Sequence, residues 1–134
     1  MIFLLRAVRL FAEGERAVSE RQAIVSYVGA CDALFNHKDK PTLYVTAGMA
    51  ATSNSRFEDA LEVADRLYEE RSGSVHLGIE PTSVPVARRF ALNAIGYVAA
   101  HLDELPTKKA IRTWIEPHVE HVLKLRKERK KSKA

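Results

Sequence analysis

Residues 42–81 read TLYVTAGMAATSNSRFEDALEVADRLYEERSGSVHLGIEP, and how they are read decides between two folds. In the middle, Phe57, Ala60, Leu61, Ala64, Leu67 and Tyr68 recur at helical spacing, with Glu58, Glu62, Asp65 and Glu69 on the opposite side. That pattern predicts an amphipathic helix. Ser55 and Glu58 have capping-box spacing at its start, while Arg71 and Gly73 suit its negative end. A short alternating piece lies on each side. Leu43, Val45 and Ala47 alternate with Thr42, Tyr44 and Thr46; Val75, Leu77 and Ile79 alternate with His76, Gly78 and Glu80 before Pro81. Both read as short strands, although the small residues from Gly48 onward also suit a helix. A strand, a helix and a strand would form a βαβ unit, yet parallel strands normally need both faces covered and more than two members. The expected fold is therefore mainly α, a compact helix bundle with at most a minor two-stranded β element. An α/β fold with a βαβ unit at 42–81 is the alternative.

Helical patterns surround this stretch. Toward the N-terminus, Met1 to Glu13 is apolar except for Arg6, Arg9 and Glu13 on one side, a stripe so narrow that burial on several sides is expected. Ser19 and Gln22 mark a helix start, followed by Ile24, Val28, Cys31 and Phe35 on one stripe and a polar loop at 36–41. Toward the C-terminus, Ser83 is expected to cap a helix carrying Ala87, Ala91, Ala94, Val98 and Leu102, in which Gly96, Ala99 and Ala100 would let another helix come close. Thr107 caps a last helical stripe through Ile111, Trp114, Ile115, Val119, Val122 and Leu125. Pro117 is expected to break it and start a second helix.

Composition bounds the rest. The 134 residues are 46% hydrophobic and 28% charged, which fits one water-soluble domain rather than a disordered chain or a membrane protein. Arg6 and Arg9 interrupt the first apolar run, so neither a signal peptide nor a spanning helix is expected there, and the chain reads as cytoplasmic with no membrane partner. Cys31, the single cysteine, reads as a buried thiol. The net charge of +4 is uneven. Residues 1–123 hold 14 Lys/Arg against 16 Asp/Glu, whereas 124–134 hold 7 basic residues and one acid, Glu128. The domains expected are a helical body at 1–123 and a basic C-terminal tail at 124–134.

That tail is the strongest functional feature. Lys124, Arg126, Lys127, Arg129, Lys130, Lys131 and Lys133 are candidate phosphate contacts, since cations near a nucleic-acid backbone release condensed counterions. Cations also stabilise a helix C-terminus, and such an end can simply be solvated. No aromatic residue interleaves the basic ones, so base stacking is not indicated. His118, Glu120 and His121 look like metal ligands, but His-Val-Glu-His matches neither zinc-protease spacing and His101 would have to supply a third ligand from another helix. No metal and no cofactor are expected. Arg112 and His118 are weak catalytic candidates, with a spacing of the kind helical ribonucleases use to move a 2′-hydroxyl proton and stabilise phosphate charge. Arg71 and His76 have similar spacing by chance. The loop at 48–55, with Ser53, Asn54 and Ser55 before a helix start, is a candidate phosphate cradle without a glycine-rich motif.

The function expected is a non-enzymatic, nucleic-acid-associated accessory or assembly protein, its body serving self- or partner-association as a homo-oligomer or with another protein. The basic tail of one copy could instead rest on the acidic Glu58-to-Glu69 face of a neighbour. The alternatives are a small ribonuclease or phosphate-ligand domain, and a protein-interaction adaptor, which would expose Ile2, Leu5 and Val8.

Overall fold

The computed structural model describes residues 2–72 and 83–133. Among the described residues six helices form a bundle: α1 (Ile2–Glu15), α2 (Glu20–Phe35), α3 (Pro41–Thr52), α4 (Phe57–Ser72), α5 (Ser83–Ala100) and α6 (Lys108–Lys133). There is no strand among the described residues. The mainly α reading therefore holds, and the strand expected at 42–47 is corrected to helix. The piece at 74–80 lies outside the described residues.

The reason for that correction is burial. α2 packs on every other helix, and α3 packs on α2, α4, α5 and α6. With neighbours on all sides, α3 buries Leu43, Val45, Thr46, Ala47, Gly48, Met49, Ala50 and Thr52. A helix enclosed in this way needs no polar face, so its sequence loses the 3.6-residue signature and resembles a buried strand. Its two buried threonines stay satisfied by bonding back along the helix: the Thr46 hydroxyl donates to the Thr42 carbonyl at 2.8 Å and the Thr52 hydroxyl to Gly48 at 2.9 Å. Gly48 is needed for closeness. A Cβ there would stand 2.4 Å from the Phe35 ring, so its absence lets α3 lie against the end of α2.

Capping is mixed. Ser19 Oγ accepts from the Gln22 N–H at 3.1 Å and Thr107 Oγ1 from the Ala110 N–H at 3.1 Å, as their positions predict. The Ser55 cap does not form: α4 opens at Phe57, the Ser55 N–H donates to Ser53 Oγ at 3.4 Å, and Arg56 reaches Glu58. Ser83 is the first residue of α5 rather than its cap, and its hydroxyl donates to Glu70. α5 packs through Ala87, Phe90, Ala91, Ala94 and Val98, whereas Gly96 faces open space and Ala99 and Ala100 are exposed. Among the described residues, the close approach expected at those three positions is therefore absent.

Two further expectations are corrected. α1 buries only one side, through Ala7 and Gly14, and leaves Ile2 83%, Leu5 60% and Val8 46% exposed. α6 does not break at Pro117. Pro117 and Thr113 both lie on the exposed side, so the carbonyl deprived of its donor is open to solvent, while Ile111, Ile115, Val119 and Val122 stay in the core on either side. At 1.5 Å per residue the 26 residues of α6 span about 39 Å.

Candidate nucleic-acid interface

The basic run is the end of α6, continuous with the helix that enters the core. Val122 is its last buried residue and Leu125 still packs on the core. Helical phase then divides the charges. Successive residues turn by about 100°, so Lys124, Lys127 and Lys131 fall in one row while Arg126 and Arg129 face away from it. Those arginines line a groove of about 390 Å³ with Glu58, Glu62, Asp65 and Glu69 of α4. Arg126 Nη2 lies 3.9 Å from Asp65 Oδ1. Burial raises the Asp65 carboxyl above its ordinary value, opposed by Arg126 and by Arg129. The acidic face of α4 is thus met within one chain by two of the seven basic residues. Lys124, Lys127, Lys130 and Lys131 are exposed and have no ion-pair partner among the described residues. Lys133 closes the helix.

One turn earlier, α6 meets a band of rings contributed by three helices. His101 stacks on Tyr97 at 4.1 Å between centroids and Tyr97 meets Trp114 at 5.1 Å. Trp114 meets His118 at 5.2 Å, and Phe57 of α4 stacks on both His118, at 5.8 Å, and His121, at 5.1 Å. These imidazoles are packing elements. Burial, with His121 nearby, lowers the His118 pKa, which favours the neutral ring. His101 Nδ1 is 2.7 Å from the Tyr97 carbonyl oxygen, and the Tyr97 and Trp114 rings stand between His101 and His118. No group of three metal-binding side chains occurs among the described residues. Trp114, His118, His121 and Leu125 share one side of α6, and that spacing is the signal by which the sequence could have revealed the band.

Arg112 and His118 are not brought together. Six residues apart on an unbroken helix, they diverge by about 120° around the axis. Arg112 is exposed and His118 is half-buried in the ring band. The serine loop is also partly used up: the Ser53 hydroxyl donates to the Ala50 carbonyl at 2.7 Å and its oxygen accepts from the Ser55 N–H. Cys31 is fully buried, and burial pushes its thiol up to about 12.

Sequence reasoning passed over Lys108. Its ammonium donates to the carbonyls of Ala33 at 3.0 Å and Leu34 at 3.1 Å and to Asn36 Oδ1 at 2.9 Å. All three donors are used, tying the start of α6 to the end of α2. No helix among the described residues is long and apolar enough to cross a membrane. Comparison with known protein families, curated proteins and solved structures finds no match to this chain.

Proposed function

We propose that the protein is a non-enzymatic, nucleic-acid-associated accessory or assembly protein that contacts phosphates through the end of α6. The observation carrying this reading is the division of charge there. Arg126 and Arg129 lie along the acids of α4, while Lys124, Lys127 and Lys131 form an exposed row with Lys130 beside it. Cations already neutralised within the fold release few counterions on binding; free ones release them fully. The lysine row is therefore the working surface, and Arg126, paired with Asp65, belongs to the body.

The test is fluorescence anisotropy of the full chain with a labelled DNA duplex and with the matching RNA duplex across a salt series. Three lysine–phosphate contacts give a log–log salt slope of about −2.7, a loss of about 40-fold between about 50 and 200 mM salt. Replacing Lys124, Lys127 and Lys131 together by glutamine should abolish that dependence and leave the melting temperature unchanged. Equal binding by the substituted protein, or no salt-dependent binding to either duplex, refutes the proposal. Substitution is the right perturbation because truncation would also remove Leu125 and Arg126, which pack on the body.

A second reading, a protein-interaction adaptor, is favoured by the exposed Ile2, Leu5 and Val8 on α1. Molecular mass in solution, with and without Leu5→Glu, tests it; a monomer in both cases removes self-association. The ribonuclease reading draws no support from the divergent Arg112 and His118.

A further inference from the structure

Between α4 and α5 lies a cleft of about 530 Å³, within the usual size of small-molecule sites. Its floor is apolar, formed by Ala60 and Val63 of α4 and by Val86 and Phe90 of α5. Asn54, Asp59, Arg89 and Asn93 line its polar parts. Asp59 and Arg89 border one cavity with opposite charges, yet no ion pair joins them and neither has another ion-pair partner among the described residues. Four opposite-charge pairs do close elsewhere among the described residues: Arg56 with Glu58, Arg71 with Asp32, Arg88 with Glu15 and Arg126 with Asp65.

We infer that this cleft binds a free α-amino acid with an aliphatic side chain. The ammonium group meets the Asp59 carboxylate, the carboxylate meets the Arg89 guanidinium, and the side chain lies on Val63, Val86 and Phe90. Two unpaired charges of opposite sign fit a dipolar ligand, whose own charges complete both pairs. A phosphate fits less well. It would face the Asp59 carboxylate, and the Ser53 hydroxyl and Ser55 amide that might have bound it already bond to one another or to Ala50. A wholly apolar ligand would leave both charges at the rim unused. These side chains, and not the amides at the start of α4, form the site, and the lysine row on α6 is no part of it.

The test is amide-resolved NMR titration of the full chain with L-leucine, leucinamide, Nα-acetyl-leucine and inorganic phosphate. Saturable shifts at Asn54, Val63 and Asn93 are expected with leucine. Removing the ligand's carboxylate or its ammonium should each weaken binding about tenfold or more. In Arg89→Gln the preference for leucine over leucinamide disappears; in Asp59→Asn the preference over Nα-acetyl-leucine disappears. A merely structural role would move neither preference. Both side chains are exposed, so the variants should keep the parent melting temperature. The inference is overturned by the absence of saturable shifts with leucine, valine or methionine at about 10 mM, a concentration that detects even millimolar dissociation constants. It is equally overturned if leucinamide binds as well as leucine, or if phosphate binds at the same amides more tightly.

Discussion

Replacing Lys108 with methionine removes one ammonium from three acceptors at once. The stem remains and the packing volume is nearly kept, so the loss isolates the bonds at 3.0, 3.1 and 2.9 Å to Ala33, Leu34 and Asn36. Hydrogen bonds to a charged group are worth about 1.5–3 kcal/mol each, and a cation at a helix C-terminus adds about 0.3–1 kcal/mol. Against these stands desolvation, which already lowers the Lys108 pKa, and of the two orphaned carbonyls only that of the half-buried Ala33 is placed to regain water. A net cost of about 2 kcal/mol follows. With an unfolding entropy of about 2.1 cal/mol/K per residue, that lowers the melting temperature of this chain by about 7 °C. Urea unfolding should show the midpoint falling at constant slope, and a double-mutant cycle with Asn36→Ala should show coupling of at least about 0.5 kcal/mol. Arginine should not rescue, because its planar fork cannot reproduce three donors spread around a single nitrogen. A methionine variant within about 0.5 kcal/mol of the parent would refute the reasoning.

Gly48→Ala should cost about 1–3 kcal/mol in urea unfolding, because the new methyl overlaps the buried Phe35 ring; unchanged stability would mean that the ring can move aside. The lowered His118 pKa makes stability depend on pH. The fold favours the neutral ring, so this contribution is complete above the unfolded value of about 6.5 and is lost as pH falls through the depressed folded value. Melting curves across that range should slope less for His118→Gln than for the parent. Arg126→Gln should raise the Asp65 carboxyl further and cost under about 1 kcal/mol at neutral pH, since the pair is half exposed. A raised carboxyl pKa penalises the ionised form, so this cost should vanish as pH drops below the folded value; carbon-detected NMR titration of Asp65 reads it directly.

Much of the fold was legible wherever one helix face meets water. Phe57 to Arg71 alternated between the core and solvent and was read correctly, as were the Ser19 and Thr107 caps. α3 was misread because its surroundings are apolar on all sides, leaving no periodicity to detect. Pro117 was misread because local sterics cannot reveal that its deprived carbonyl falls on the wet side. The site divides in the same way. The seven basic residues were evident as a cluster, but which of them are free depends on Asp65 and the other acids of α4, far away in sequence. The Lys108 tie and the Asp59–Arg89 cleft likewise join separate helices, and no local pattern reports them.

That α6 continues as helix to Lys133 also bears on the entropy of association. A disordered basic segment must be fixed when it meets its target, at about 1–2 kcal/mol per backbone residue. Here the folded body templates the helix through Val122 and Leu125, so the backbone from Lys124 onward is ordered before any encounter. If the end of α6 contacts phosphates as proposed, the helical spacing of the lysine row lowers the cost of engaging a regular backbone and raises the cost of adapting to an irregular one. A ligand of regular helical shape should therefore be preferred over a collapsed single strand of equal charge.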